Sequence, residues 1–156
     1  FIDKDISIKE YLIEIIISFK EISKKNFIFN FEQDSNPKKI TKSVEIIYGL
    51  RNFIGNANKF SKKNIYINLK SNSEFTEIII EDDGPGYPSD ILQKIGEPYL
   101  KTIDFSQKSE KGLGLGIFIG KTLLEKNFAS INCRNSKTRD GAEVLIKWKN
   151  IELFNI

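Results

Sequence analysis

The stretch that decides the fold is residues 81–116, which opens with EDDGPG (Glu81–Gly86) and closes with GLGLG (Gly112–Gly116). A run of three isoleucines, Ile78–Ile80, precedes it and predicts a buried strand, so Asp83 stands just beyond a strand end. The second glycine cluster leads into an apolar segment that predicts a helix. A polar stretch of about two dozen residues separates the clusters, a length that compact domains seldom leave irregular unless the segment is functional.

The two glycine clusters predict a phosphate-binding site. Bare backbone N–H groups and the dipole at the start of a helix both favour an anion. No Gly-Lys-Ser/Thr follows the second cluster, and its spacing differs from the dinucleotide-binding fingerprint. The stretch therefore predicts a strand that ends in a carboxylate, a long lid and a helix with a glycine-rich start. It matches neither the P-loop nor the dinucleotide-binding motif.

The composition narrows the classes of function. The 156 residues predict one domain with a real core, and the absence of Met from a chain that starts at Phe1 predicts a fragment of a longer protein. Only three of the 24 basic residues are arginines, which disfavours nucleic-acid binding. The absence of histidine removes many metal and acid–base chemistries, and a single cysteine fits a reducing cytosol.

The apolar periodicity predicts helices, strands and their approximate bounds. Helices are expected over about 7–24, 41–60 and 115–126, with a short lid helix from 88 to 95. Strands are expected over about 1–6, 27–31, 65–69, 77–81, 128–134 and 142–149. Because these elements do not alternate regularly, we expect an α+β fold with helices on one face of a mixed sheet.

A stripe of unusual residues runs along the second long helix. Gly49, Asn52, Asn56 and Lys59 are spaced three, four and three residues apart, so they share one face. A solvated face is the ordinary interpretation of such a stripe. However, asparagine is a weak helix former and glycine costs roughly 1 kcal/mol relative to alanine, so the stripe indicates side chains selected for chemistry.

The order of these motifs resembles the ATP-binding catalytic domain of sensor histidine kinases, in the superfamily of DNA gyrase B, Hsp90 and MutL. Asn52–Phe60 looks like the N box, Asp83–Gly86 the G1 box, Glu97–Tyr99 the F box and Gly112–Gly116 the G2 box. The resemblance covers nearly the whole chain. It implies a two-layer α/β sandwich of the GHKL (Bergerat) type, with residues 1–156 as a single domain and an ATP lid over about 85–111.

Three stretches, 45–52, 96–102 and 118–125, look most like the RegB/PrrB-type redox-responding kinases of bacteria. The chain departs from the usual family pattern in two motifs. Ile95 stands where the F box has its first Phe, and Leu113 stands where the G2 box commonly has Thr.

The resemblance implies a role for each site residue. Asn52, Asn56 and Lys59 would be catalytic, with Asn56 and the nearby Asn52 binding Mg²⁺ through amide oxygens. Asp83 would accept a hydrogen bond from the adenine amino group, with a strand-end turn cap as the alternative interpretation. The implied nucleotide-binding set comprises Asn56, Lys59, Phe60, Asp83, Gly84, Gly86, Lys101, Thr102, Gly112, Leu113, Gly114, Leu115 and Gly116.

The resemblance also implies cofactors, partners and location. ATP and Mg²⁺ would be bound, and the γ-phosphoryl group would pass to a histidine on a separate dimerisation domain, then to a response regulator. The full-length protein would be a homodimer, anchored in the inner membrane by segments upstream of this cytoplasmic domain. The sensor and dimerisation domains are expected to lie outside this chain.

Three alternatives stay open. One is a GHKL-type ATPase, although Asn52 stands where those enzymes carry the glutamate that activates water. Another is a serine kinase of the anti-sigma-factor type, which shares these motifs. The last is a degenerate module that binds a partner without catalysis.

Overall fold

The computed structural model of the protein describes residues 6–33, 39–40, 43–95 and 113–154. In chain order the elements are β1 (Ile6–Ser7), α1 (Ile8–Lys20), β2 (Asn26–Gln33), β3 (Lys39–Ile40), α2 (Val44–Phe60), β4 (Asn64–Ser71), β5 (Phe75–Asp82), α3 (Ser89–Ile95), α4 (Leu113–Lys126), β6 (Ser130–Asn135), β7 (Ala142–Lys149) and α5 (Asn150–Leu153). The predictions for residues 1–5 and for Glu97–Tyr99, Lys101, Thr102 and Gly112 lie outside the described residues. So does the lid beyond residue 95.

The main sheet has five strands in the order β2-β4-β5-β7-β6. Strands β2 and β4 are parallel, whereas every other neighbouring pair is antiparallel. A second sheet pairs the short strands β1 and β3. The predicted mixed sheet is therefore confirmed.

Buried and exposed side chains alternate along the strands, so the main sheet has one buried face and one open face. In β4 the side chains of Ile65, Ile67 and Leu69 are buried, while Tyr66 and Asn68 between them are partly exposed. Because successive strand side chains point to opposite faces, the buried row packs on the helices and the other row faces outward. The result is the predicted two-layer α+β fold.

Helix α1 begins with a complete capping box, in which Ser7 and Glu10 satisfy each other's backbone N–H groups. It ends at Lys20, earlier than the predicted residue 24, and Ile22 lies beyond its end with its side chain exposed. Helix α2 runs beside it in the same direction. The backbone N–H of Ser43 donates to the Tyr11 hydroxyl at 2.7 Å.

Helices α2 and α4 approach closely through two glycines. A Cβ on Gly49 would lie 2.6 Å from Cγ of the buried Leu124, and one on Gly120 would lie 2.9 Å from the Phe53 ring. Gly49 is therefore a packing residue, and the interpretation of it as part of a chemical stripe is wrong. This contact places the first turn of α4 beside Asn52, because a Cβ on Gly116 would lie 3.9 Å from Asn52 Oδ1.

Helix α4 ends in a turn rather than running directly into a strand. The N–H of Ala129 donates to the carbonyl of Leu124, and that of Phe128 to Glu125, which is the hydrogen-bond pattern of a Schellman motif. Phe128 takes the left-handed position with φ of 73°, although the sequence pattern predicts it as the first residue of the strand. No helix within the described ranges is both long and apolar enough to span a membrane.

Candidate functional site

A cavity of about 190 Å³ opens where the C-terminal part of α2 meets the end of β5 and the start of β7. Its lining consists of Asn56, Phe60, Asp82, Pro85, Gly86, Tyr87, Pro88 and Ala142. The volume is below the range of about 300–1,000 Å³ that encloses a drug-sized ligand. It therefore suits one ring system, with the rest of a larger ligand lying outside.

Asp82 supplies the carboxylate of this cavity. Its side chain is 4% exposed, and Oδ1 accepts hydrogen bonds from the backbone N–H groups of Gly84 (2.8 Å) and Ala142 (3.2 Å). Among the described residues no donor reaches Oδ2. Burial raises the pKa of Asp82, although the two N–H groups partly oppose the shift. One oxygen is thus fixed by the fold, and the other is available to a ligand that donates a hydrogen bond.

Asp83 is held elsewhere, and it does not line the cavity. Its carboxylate accepts from the backbone N–H groups of Lys62, Lys63 and Asn64 at 2.8–3.3 Å. Desolvation acts to raise the pKa of Asp83, but these hydrogen bonds together outweigh it and lower that pKa. The geometry contradicts the prediction that Asp83 binds the base, and it matches the alternative of a turn cap.

The cause of this error is a shift of one residue along a strand. Ile78 and Ile80 are buried on the helix-facing side of β5, so the period of two places residue 82 on that side as well. Asp83 lies just past the strand, where its side chain caps the turn that leads from α2 into β4. The buried isoleucines were the signal in the sequence that could have identified Asp82.

Two glycines let backbone segments pack tightly beside Asp82. A Cβ on Gly84 would lie 2.2 Å from the Phe60 carbonyl oxygen, and one on Gly141 would lie 2.1 Å from the Asp82 carbonyl oxygen. Gly84 therefore serves the contact between α2 and β5. Gly86 has φ of +81°, a backbone conformation that glycine adopts readily, and it lines the cavity.

Helix α2 contributes the other wall of the cavity. The Asn56 side chain is half-buried and lines the cavity, and its amide makes no hydrogen bond with any described residue. Phe60 also lines the cavity, and the exposed Lys59 has its Nζ 5.2 Å from the centre of the Phe60 ring. Three of the predicted residues thus lie at the cavity or at its edge.

Asn52 lies one turn before Asn56 on α2. Its Nδ2 donates to the Tyr48 carbonyl at 2.7 Å, while Oδ1 faces the start of α4. Leu113, Gly114, Leu115 and Gly116 form the beginning of that helix, earlier than the predicted start at 115. The structure therefore brings Asn52 and this part of the G2 motif to the same end of the site.

The described residues contain no group of three or more His, Cys, Asp or Glu side chains that could hold a metal ion. A divalent cation at this site would depend on the Asn56 amide oxygen and on oxygens of the ligand itself. That donor set fits Mg²⁺, which commonly takes few protein ligands together with substrate phosphates.

We call Asp82, Gly86–Pro88, Asn135 and Ala142 the strand side of the site, and Asn52, Asn56, Lys59 and residues 113–116 the helix side. Asn135, Tyr87 and Ala142 were not predicted from the sequence. Asn135 belongs to the strand side because its side chain hydrogen-bonds with the backbone of Tyr87. No motif in the sequence marks it.

A family model described as "Histidine kinase-, DNA gyrase B-, and HSP90-like ATPase" matches residues 41–151. The chain is 35% identical over 108 residues to the sensor histidine kinase RegB of Cereibacter sphaeroides, covering 66% of this chain and 23% of RegB. It is 26% identical over 152 residues to a putative NtrY-like sensor histidine kinase of Rickettsia prowazekii, covering 92% and 24%. The chain thus spans about a quarter of the length of these curated relatives.

Solved structures share the fold. The catalytic domain of histidine kinase ThkA superposes with a TM-score of 0.72 at 22% identity, covering 96% of this chain and 98% of that one. Full-length ShkA, solved in complex with AMPPNP, gives a TM-score of 0.71 at 18% identity, covering 94% and 30%. These likenesses confirm the predicted two-layer architecture.

Proposed function

Because the chain belongs to the family of histidine kinase-, DNA gyrase B- and HSP90-like ATPases, we propose that it is the ATP-binding catalytic domain of a sensor histidine kinase. The domain would bind Mg·ATP and transfer the γ-phosphoryl group to a histidine on a separate dimerisation domain. In such a reaction the protein mainly positions groups and neutralises charge.

The observation that carries this proposal is the carboxylate of Asp82. An ionised carboxylate only accepts hydrogen bonds, and Asp82, which lines the cavity, has Oδ1 satisfied by backbone and no described donor at Oδ2. Adenine presents an amino group to such an acceptor, whereas guanine presents a carbonyl at the corresponding position. The cavity therefore favours ATP over GTP, and Asp82 takes the role that the sequence motif alone assigned to Asp83.

The helix side fits the triphosphate and its cation. Asn56 has an amide oxygen without a hydrogen-bond donor among the described residues, and it lies on the wall that leads from the cavity towards α4. Bound Mg²⁺ would neutralise part of the negative charge of the phosphates. Asn56 would hold it, Asn52 would lie close by, and Lys59 would meet phosphate oxygens from the edge of the cavity.

Position 52 favours a kinase over a water-activating ATPase. Its side chain is an amide that donates to its own helix at Tyr48, so it has no carboxylate with which to deprotonate water. The isolated domain is therefore expected to hydrolyse ATP very slowly.

The partners and location follow from the same proposal. The phosphoacceptor would be the dimerisation domain of the same homodimeric protein, and the phosphoryl group would then pass to a response regulator. The domain would lie on the cytoplasmic side of the inner membrane, anchored by other segments of the full-length protein.

The test is radiolabel transfer from γ-labelled ATP with Mg²⁺. The chain is mixed with the dimerisation domain of the same full-length protein, and we expect acid-labile label on that domain's histidine. Transfer should be slower than in the intact protein, because the tether's effective concentration is lost. This chain should stay unlabelled on histidine, since it contains none.

The control is the same dimerisation domain with its histidine changed to alanine. Label that persists in this control, or that appears on serine of another protein, would refute the histidine-kinase proposal and favour the anti-sigma type of serine kinase.

A further inference from the structure

The segment that follows Asp82 along the strand side is held by one side chain from a distant strand. The Asn135 Oδ1 atom accepts from the backbone N–H of Tyr87 at 2.6 Å, and its Nδ2 donates to the Tyr87 carbonyl at 3.1 Å. A single amide thus satisfies both backbone groups of one residue, as a neighbouring strand would. The two residues are 48 positions apart, so the contact is a product of the fold.

The contact occurs where the backbone most needs an external support. Gly86, directly before Tyr87, has φ of +81° and lies so close to Asn135 that an added Cβ would be 2.7 Å from its Oδ1. Pro85 and Pro88 flank this pair and have no N–H groups to contribute. Gly86, Tyr87 and Pro88 all line the cavity.

Tyr87 is also held through its side chain. It is only 7% exposed, and its hydroxyl interacts with the thiol of Cys133, two residues before Asn135 on the same face of β6. Burial raises the pKa of both groups, that of Cys133 to about 12, so both stay neutral at physiological pH. Strand β6 therefore holds Tyr87 by its backbone and by its ring.

The strand paired with β6 holds Asp82 at the same end of the β6–β7 hairpin. Asn135 and Ala142 are register partners in the β6–β7 ladder, and the N–H of Ala142 donates to Asp82 Oδ1. One pair of opposed residues thus fixes both the carboxylate and the cavity wall beside it.

We propose that Asn135 is a positioning residue for the nucleotide base, because its side-chain amide holds the Gly86–Pro88 wall at a fixed distance from Asp82. This inference rests on the proposed function, in which that cavity takes adenine. Asn135 does not itself line the cavity, so its effect reaches the base only through Tyr87.

The test compares Asn135→Ala and Asn135→Asp with Asn132→Ala. Asn132 is the matched control, because it is exposed on the opposite face of β6 and its side chain makes no hydrogen bond with any described residue. Calorimetry should show ATP bound roughly tenfold more weakly by Asn135→Ala, the scale of one or two lost hydrogen bonds. The factor should be the same with Mg²⁺ and with EDTA, because only the base subsite is disturbed.

Asn135→Asp keeps the acceptor for the Tyr87 N–H but loses the donor to its carbonyl. Its ATP affinity should therefore lie between those of the wild type and Asn135→Ala. Hydrogen exchange without nucleotide provides a second readout, in which Asn135→Ala speeds exchange in residues 84–90 while the amides of β4 and β5 up to residue 81 stay protected.

The outcomes separate the two proposals. Wild-type protein that binds no ATP refutes the proposed function, yet the exchange comparison still decides whether Asn135 holds this wall. Wild-type protein that binds ATP, with Asn135→Ala binding it equally well, overturns the positioning role. Loss of protection across the whole sheet would also overturn it, since it would show a general role in stability.

Discussion

The strand side and the helix side of the site are built in different ways. On the strand side, Asp82 is buried and bonded to two backbone N–H groups, and Tyr87 is held by Asn135. On the helix side, the Asn56 side-chain amide hydrogen-bonds to no described residue, and Lys59 is exposed. The first side is held by contacts within the fold, whereas on the second side the described contacts leave the Asn56 amide open.

This difference matches the two parts of a nucleotide. A flat, neutral base gains from groups that are already in position, because each ordered contact then costs little entropy on binding. A triphosphate with its cation carries charge that mobile polar side chains can surround. Changes on the strand side should therefore weaken binding with or without Mg²⁺, whereas changes at Asn56 should matter chiefly when Mg²⁺ is present.

The largest expected effect distinguishes the two adjacent carboxylates. Asp82→Asn presents an amide in place of the carboxylate, so it loses a charge-assisted hydrogen bond with adenine worth about 1.5–3 kcal/mol. ATP affinity should fall roughly 10- to 150-fold in a calorimetric titration. Asp83→Asn is the matched control one residue along, and it should bind ATP within about twofold of the wild type.

Binding of GTP provides a further check on the different roles of Asp82 and Asp83. The wild type should prefer ATP, and Asp82→Asn should lose most of that preference, while Asp83→Asn should keep it. If Asp83→Asn were the variant that lost ATP, the geometry at the end of β5 would not be the one that binds nucleotide.

A smaller effect is expected at Asn56. Asn56→Ala removes an amide oxygen that would ligate Mg²⁺, so ATP affinity measured with Mg²⁺ should fall about tenfold, which corresponds to about 1.4 kcal/mol. In EDTA the variant and the wild type should bind alike. Asn132→Ala, far from the site on the open face of the sheet, controls for the loss of an asparagine. Equal losses in both conditions would show that Asn56 contacts the nucleotide rather than the cation.

The fold was predictable because its periodic patterns are strong. Strand β4 alternates cleanly, the run of three isoleucines in β5 marks a buried strand, and the capping box of α1 marks where that helix begins. The element ends were less accurate. Phe128 was assigned to a strand from its apolar character, but it occupies the left-handed turn after α4, which depends on hydrogen bonds to Leu124 and Glu125.

The site was predictable as a set of motifs but not at the level of each side chain. Two neighbouring aspartates stand at the end of β5 and just past it, and only their environment distinguishes a cavity carboxylate from a turn cap. Asn135 could not be found from the sequence, because its role depends on a contact across 48 positions. Gly49 was assigned to chemistry because helical spacing shows which face a residue shares, but not whether α4 covers that face.

The smallest effect on nucleotide affinity is expected from changing Gly49 to alanine. The matched control is the same change at Gly55 on the same helix. A Cβ at Gly49 would lie 2.6 Å from Cγ of Leu124, which is fully buried and cannot move aside freely, whereas one at Gly55 would lie 3.3 Å from the Phe19 ring. Overpacking typically costs about 1–3 kcal/mol, and alanine returns about 1 kcal/mol as the better helix former. Gly49→Ala should therefore lower the melting temperature, while Gly55→Ala should leave it nearly unchanged.

Gly49→Ala should affect nucleotide binding on the helix side of the site but not on the strand side. Because Gly49 sets the distance between α2 and α4, the alanine should displace the first turn of α4 from Asn52 while leaving Asp82 and Tyr87 in place. Affinity for Mg·ATP should then fall a few-fold, roughly 0.5–1 kcal/mol, with no change in the affinity for adenosine. An equal loss for both ligands would show that the strain spreads through α2 to Phe60 and the cavity, and that the two sides are not independent.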